Sequence, residues 1–195
     1  MNPRPPGAVS SGNVETSQRI VDVLLLALKD LLPDRIPAQG QGTMNNLALG
    51  WEGKTYYETI AGGMGASSRF EGASAVQIHM TNTANTPTEV LEDNYPIRVL
   101  KTELRTGSGG NGLHAGGTGL TREVLLLEDT VVSIQSERRR CPPRGIFGGG
   151  DGACGQNLLR RTDGTEVELP GRCTFQAVKG ETLIIRTPGG GGWGK

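Results

Sequence analysis

Residues 156–187 read QNLLRRTDGTEVELPGRCTFQAVKGETLIIRT. Four short runs, 156–161, 165–169, 173–178 and 181–187, are separated by Asp163-Gly164, Pro170-Gly171 and Lys179-Gly180. Runs this short, punctuated by glycine, are strands joined by tight turns. Asp163-Gly164 is the clearest two-residue hairpin among them. Upstream, 97–105, 120–128 and 130–136 have the same texture, with turn signals at Gly107–Gly119 and Asp151-Gly152. Short strands at this spacing predict an antiparallel β-sandwich or barrel-like region. The closing TPGGGGWGK has neither helix nor strand pattern and must lie against something to be ordered.

The texture before Ile97 differs. Ser17–Leu32 is helical in period, and Ile20, Val21, Val23, Leu24, Leu25, Leu28, Leu31 and Leu32 cover more than one face. That predicts a helix buried on most sides, capped at Asn13 or Thr16 and ended by Pro33, with apolar surface to spare for a partner. Residues 1–13 read as a draped arm rich in Pro, Gly and Ser. The run 55–66 predicts a strand closing in a turn at Gly62, Gly63 and Gly65. No lysine follows it, so it is not a phosphate-loop motif. Ser74–Met80 predicts another strand, carrying His79 at its end. Thr88 then caps a short helix, Glu89–Asp93. The fold class expected is α+β and β-rich: a buried N-terminal helix on mixed or antiparallel strands, then the antiparallel region. Residues 1–95 and 96–195 are its two regions within one compact unit.

Composition narrows the function. The 195 residues hold 20 Lys plus Arg and 20 Asp plus Glu. A net charge of zero argues against a nucleic-acid partner. Asp22, Lys29 and Asp30 break the longest apolar run, so no membrane span is expected. The N-terminus lacks the apolar core of a secretory signal. Cys141, Cys154 and Cys173 form no CxxC pair and suggest neither zinc nor a disulfide framework, which fits a reduced, cytoplasmic chain. With 31 glycines and 4% aromatic residues, the chain should be rich in turns.

Ile78–Glu92, IHMTNTANTPTEVLE, crowds short hydrogen-bonding side chains around one proline. Such a stretch orients a polar small molecule, or it is a structured turn; composition leaves the two even. His79 can be a general base or metal ligand, or a structural histidine bonded to a backbone carbonyl. Glu58 points into the same cleft if 55–61 pairs with 74–80, and is otherwise a solvated strand residue. Asn45, Asn46, Asn82 and Thr83 can hold a polar substrate or an oxyanion, or act in capping and turns. In SERRR, the arginines at 138–140 can clamp a carboxylate or phosphate; for two of the three, a solvated charge run or ion pairs to a partner is the plainer reading. His114 is a loop residue, and the cysteines are incidental.

Seven segments, taken together, carry a resemblance. They are GNVETSQRIVDVLLLAL, QGTMNNLALG, YYETIAGGMGA, HMTNTANTPTEVLEDNYPIRV, LRTGSGGNGLHAGGTGLTREV, SERRRCPPRGIFGGGDGACGQN and TPGGGGWG. In this order, from about Pro5 to Lys195, they resemble the hydantoinase B / 5-oxoprolinase family, which includes N-methylhydantoinase B subunits and relatives of acetone and acetophenone carboxylase large subunits. The resemblance is to the C-terminal portion of such a subunit. It implies that an N-terminal portion of the subunit carries the divalent-metal ligands, and that a hydantoinase A type partner subunit binds ATP, in a hetero-oligomer. This chain alone then carries no cofactor. The implied chemistry is ATP-dependent activation of a cyclic amide such as a hydantoin or 5-oxoproline, followed by ring opening, with this chain forming one wall of the site. The alternatives are a ketone carboxylase and, for the chain alone, a non-catalytic assembly module. Catalytic candidates are His79 and Glu58; substrate-binding candidates are Thr43, Asn45, Asn46, Asn82 and Thr83. Thr43 stands where some oxoprolinase-like relatives have cysteine, which argues against a thiol nucleophile.

Overall fold

Every strand expected after Ile97 forms, within a residue or two of its anticipated ends. The computed structural model describes residues 14–195; the N-terminal arm and the Asn13 cap lie outside the described residues. The elements run α1 (Val14–Leu28), β1 (Asn46–Trp51), β2 (Lys54–Thr59), α2 (Thr88–Asn94), β3 (Ile97–Arg105), β4 (Gly119–Leu126), β5 (Thr130–Gln135), β6 (Gln156–Arg160), β7 (Glu166–Leu169), β8 (Arg172–Ala177) and β9 (Thr182–Arg186). They build two sheets, β2-β1-β5-β8 and β3-β4-β9-β6-β7. Every pairing is antiparallel, and neither sheet closes into a barrel. The first sheet takes β1 and β2 from before residue 96, and β5 and β8 from after it.

The core follows from the pleat. In the first sheet Leu47 faces Ile134, and Leu49 faces Val132, across β1 and β5. In the second, Val124 faces Leu183 across β4 and β9. These side chains, with Leu120, Leu126, Ile185, Ile97 and Leu91, form one buried apolar cluster between the sheets. Alternation along each strand delivers them to a single face. At the hairpin between β6 and β7, Gly164 has φ +86° and Arg161 donates its amide to Thr165.

Residues 39–51, given no element from the sequence, contain a strand, β1, in which Asn46–Gly50 pairs on both sides. Two local readings change. The expected strand 74–80 is reduced to a single bridge between Val76 and Gly62. Ala75 (φ 50°) and His79 (φ 52°) take left-handed backbone, which an extended ladder does not accommodate. Thr88 is the first residue of α2 and not its cap; Pro87 precedes the helix, and no side chain caps it.

The C-terminal glycine run finds its support in other loops. Gly190 donates to Gly117 O and accepts from Gly110 N; Gly191 donates to Gln39 O and accepts from Ala66 N; Gly192 donates to Gly150 O and accepts from Ile146 N. Non-strand segments near residues 39, 64, 110, 117, 146 and 190 thus form a hydrogen-bonded layer. It admits no side chain at its closest approaches. A Cβ on Gly63 would collide with Gly117 O, and one on Gly190 with Met64 O.

Candidate active site

Helix α1 buries its polar stripe. Glu15, Gln18 and Asp22 fall at i, i+3 and i+7, on one face, and they are its buried residues. The opposite face shows Ile20, Val23, Leu24 and Leu28, with Leu31 and Leu32 in the turns beyond; Val23 is 59% and Leu31 76% exposed. The expected burial on most sides therefore gives way to an amphipathic helix turned polar side inward. The reason lies beneath it, where the chain presents donors and a guanidinium in place of apolar side chains.

Each of the three buried groups has a task. The Glu15 carboxylate accepts from the Thr43 hydroxyl (2.7 Å), the Met44 amide (2.8 Å) and the Asn46 amide group (3.2 Å). Burial pushes its pKa up, against those hydrogen bonds. Gln18 donates to Ile78 O (3.1 Å) and accepts from Met80 N (2.9 Å), gripping the backbone on both sides of His79. Asp22 pairs with Arg138 Nη2 (2.6 Å) and Arg19 Nη1 (3.2 Å), and its other oxygen lies 3.6 Å from His79 Nε2. His79, Arg138 and Asn45 all have positive φ without being glycine. Strained backbone thus gathers where the polar face of α1 docks.

Thr43, Asn45 and Asn46 do come together, but their polar atoms are engaged within the chain. The Thr43 hydroxyl donates to Glu15 and accepts from the Asn45 and Glu137 amides. Asn45 donates to Gln41 Oε1 and Ile60 O and accepts from Arg139. Asn46 donates to Glu15 and Gln135 O and accepts from the Tyr57 hydroxyl. Asn82 and Thr83 follow His79 on an exposed loop, with no side-chain partner among the described residues.

Glu58 lies elsewhere. It faces inward beside Leu47, whereas Asn46 and Tyr57 point to the opposite face of the same sheet. Its carboxylate meets Arg122 Nε (2.9 Å) and the Tyr56 hydroxyl (3.0 Å), and both members of the ion pair are under a tenth exposed. Burial raises the Glu58 pKa, with Arg122 opposing it. The pairing of 55–61 with 74–80 that would have joined Glu58 to His79 does not form.

Two hollows flank this region. One of about 260 Å³ is lined by Pro37, Gly40, Met64, Gln77 and His79, among others. The other, about 1000 Å³, runs along Ser136–Cys141 and Glu168–Arg172. Arg138 and Arg139 in its wall are bound within the chain and do not form a solvated charge run. Arg138 bonds Asp22, Gln39 and Pro142 O; Arg139 bonds Asn157, Asn45 and Glu137 O. His114 exchanges backbone hydrogen bonds with Trp193. No group of three His, Cys, Asp or Glu among the described residues is placed to hold a metal ion. No helix among them is long and apolar enough to cross a membrane.

Glu15, Gln18 and Asp22 were missed as site residues. The signal available was the stripe itself, Glu15, Gln18 and Asp22 on one face of the helix.

The two-sheet scaffold and the helix-borne polar corner define a β-rich chain that holds a histidine against a buried carboxylate. The family model described as hydantoinase B/oxoprolinase matches residues 1–195, and the chain belongs to this family. It is 45% identical over 195 residues to a 5-oxoprolinase of Dictyostelium discoideum, and 47% identical over 194 residues to 5-oxoprolinase 1 of Arabidopsis thaliana. In both cases all of this chain is covered, but only 15% of the relative's length. The crystal structure of an ATP-dependent caprolactamase from Pseudomonas jessenii is similar with a TM-score of 0.72 at 26% identity, over 87% of this chain and 32% of that one. The nucleotide-free structure of an acetone carboxylase shares the fold, with a TM-score of 0.59 at 18% identity, over 93% of this chain and 30% of that one.

Proposed function

We propose that this chain is the C-terminal part of the B-type subunit of an ATP-dependent cyclic amide hydrolase, and that it forms one wall of the ring-opening site. Similarity to 5-oxoprolinases over all of this chain at 45–47% identity carries the reading. The likeness to a caprolactamase, another enzyme named for a cyclic amide, agrees with it. Partners in this reading are the N-terminal part of the B subunit, with its divalent metal, and a hydantoinase A type subunit that binds ATP, in a cytoplasmic hetero-oligomer. The chain alone is inactive. The outward apolar face of α1 supports the first partner, since a monomer leaves so large an apolar stripe exposed only at a cost in solubility.

Amides are poor electrophiles. Transfer of the γ-phosphoryl group from ATP to the amide oxygen gives ADP and an activated imidate. Water adds to its carbon and gives up a proton. Cleavage of the ring C–N bond, with the nitrogen taking up a proton, opens the ring to an acyl phosphate, and a second water hydrolyses this to the carboxylate and inorganic phosphate. His79 is the group of this chain suited to take the proton: Gln18 fixes its backbone, and Asp22 faces its Nε2. Asn82 and Thr83 lie beside it with uncommitted side chains, available to a polar substrate. Glu58, Thr43, Asn45 and Asn46 hold the scaffold.

The test uses the assembled enzyme, with 5-oxoproline, a hydantoin and a ketone plus bicarbonate supplied in separate reactions with ATP. Ring-opened product formed with ADP is expected, and His79→Ala should lower kcat by about 10²–10⁴. ATP-dependent carboxylation of the ketone without ring opening overturns the reading in favour of a carboxylase. Full activity in His79→Ala removes His79 from the chemistry.

A further inference from the structure

The larger hollow carries an excess of positive charge that the chain does not neutralise. Arg19, Arg138, Arg139, Arg140 and Arg172 line it, against Glu137 and Glu168. Asp22 behind Arg138 and Glu15 near Arg139 offset two charges, Arg105 near Arg139 adds one, and two remain. The arginines oppose one another. Arg138 is held below its ordinary pKa by burial and then by the charge of Arg19. Burial brings Arg139 down to about 10, against the opposing charge of Glu15, with Arg105 adding to the effect of burial.

The wall and the rim differ. Arg138 and Arg139 are fixed by internal hydrogen bonds, so the wall is preorganised. At the rim, Arg172 shares an exposed ion pair with Glu137 (2.5 Å), and Arg140 has no side-chain partner among the described residues. Exposed ion pairs of this kind exchange readily for a better anion. Guanidinium forks match the geometry of a tetrahedral oxyanion, and a dianion matches the residual charge. The volume of about 1000 Å³ admits a phosphorylated small molecule as well as the ion itself.

We propose that this cleft is a phosphoryl-binding site, in which Arg19, Arg140 and Arg172 grip the dianionic phosphate of a small molecule against the fixed wall of Arg138 and Arg139. The site does not depend on the ring-opening reading. It fails or holds by binding alone, whereas that reading fails or holds by turnover.

The experiment titrates the 195-residue chain with inorganic phosphate, ADP and adenosine, by calorimetry at low salt. Phosphate and ADP should bind and compete, while adenosine does not. Arg140→Ala and Arg172→Ala should each weaken phosphate binding about tenfold, with unchanged melting, since both side chains are exposed. Phosphate competing with ADP at equal affinity points to a free-ion site, and much tighter ADP binding to a phosphate ester; both support the proposal. Absence of saturable phosphate binding to the folded chain overturns it. So does binding that survives in the Arg140→Ala, Arg172→Ala double variant. Binding of an acidic polypeptide but not of phosphate overturns it too, and makes the cleft a protein interface.

Discussion

Gln18 grips Ile78 O and Met80 N, and between them His79 sits at φ 52°. Removing the grip in Gln18→Ala strands a partly buried amide. Urea unfolding should show a loss of about 1–3 kcal/mol. The backbone strain at His79 has its own signature. An L side chain in left-handed backbone costs roughly 1–2 kcal/mol that glycine avoids, so His79→Gly should be more stable than His79→Ala by about that amount. Equal stability in the two variants would contradict the strain. Glu15 adds a pH effect. Its folded pKa is raised above 4.5, chiefly by burial. A raised carboxyl contributes stability that is present below its unfolded pKa and lost as pH rises through its folded one. Glu15→Gln should flatten that decline in denaturation measured from mildly acidic to neutral pH; a decline unchanged in slope would sink the assignment. Much of this corner was not legible in the sequence. The short polar residues around 43–46 and His79 were visible as a group, but the helix residues that hold them were not. A polar residue on an amphipathic helix reads as solvent-facing by default, and only the tertiary placement of Arg138 and Thr43 beneath α1 reverses that.

Helix α1 and the glycine layer show what periodicity conveys and what it omits. The strand pattern from β3 to β9 was readable because each strand is bounded by Gly or Pro and buries one face. For β1 the signal was masked by the polar run before it, and 74–80 looked like a strand because nothing in its sequence announces positive φ at Ala75 and His79. On α1, burial could not be assigned to a face, since periodicity separates a polar from an apolar face but does not say which of them docks on the chain. The outward face makes a separable prediction. Val23→Lys and Leu24→Lys, on side chains 59% and 58% exposed, should change the stability of this chain by no more than about 0.5 kcal/mol. They should abolish co-purification with the N-terminal part of the subunit proposed above as a partner. Stable association of both variants would take α1 out of that interface. Gly190→Ala is the opposite case. The added methyl meets the Met64 carbonyl, which is backbone and cannot step aside. The loss should reach or pass about 4 kcal/mol, seen as failure to melt cooperatively.

Between the two sheets the molecule buries a charge pair where apolar contacts would serve. Glu58 comes from β2 in the first sheet and Arg122 from β4 in the second, so the pair ties the sheets together across the core. Arg122 also donates to Thr102 (3.2 Å), and Glu58 accepts from Tyr56. Desolvating both ions opposes most of their attraction, whereas removing one leaves the other buried and uncompensated. Glu58→Leu or Arg122→Met alone should therefore destabilise the chain by about 3–5 kcal/mol, and the double variant should recover to near or above the wild type. A double-mutant cycle in urea reads this directly. The pH dependence sharpens it. Burial raises the Glu58 pKa above 4.5 despite Arg122, so the ionised pair is least favourable once Glu58 has lost its proton. The stability contributed by Glu58 is present below its unfolded pKa and is lost as pH rises through the folded one. The double variant should thus gain most on the wild type at neutral pH and least in mild acid. A gain that is larger in acid would mean that Arg122, and not burial, sets the ionisation of Glu58. Additive single losses with no recovery would mean that Glu58 and Arg122 are not coupled, and that each stabilises the chain through its other contacts.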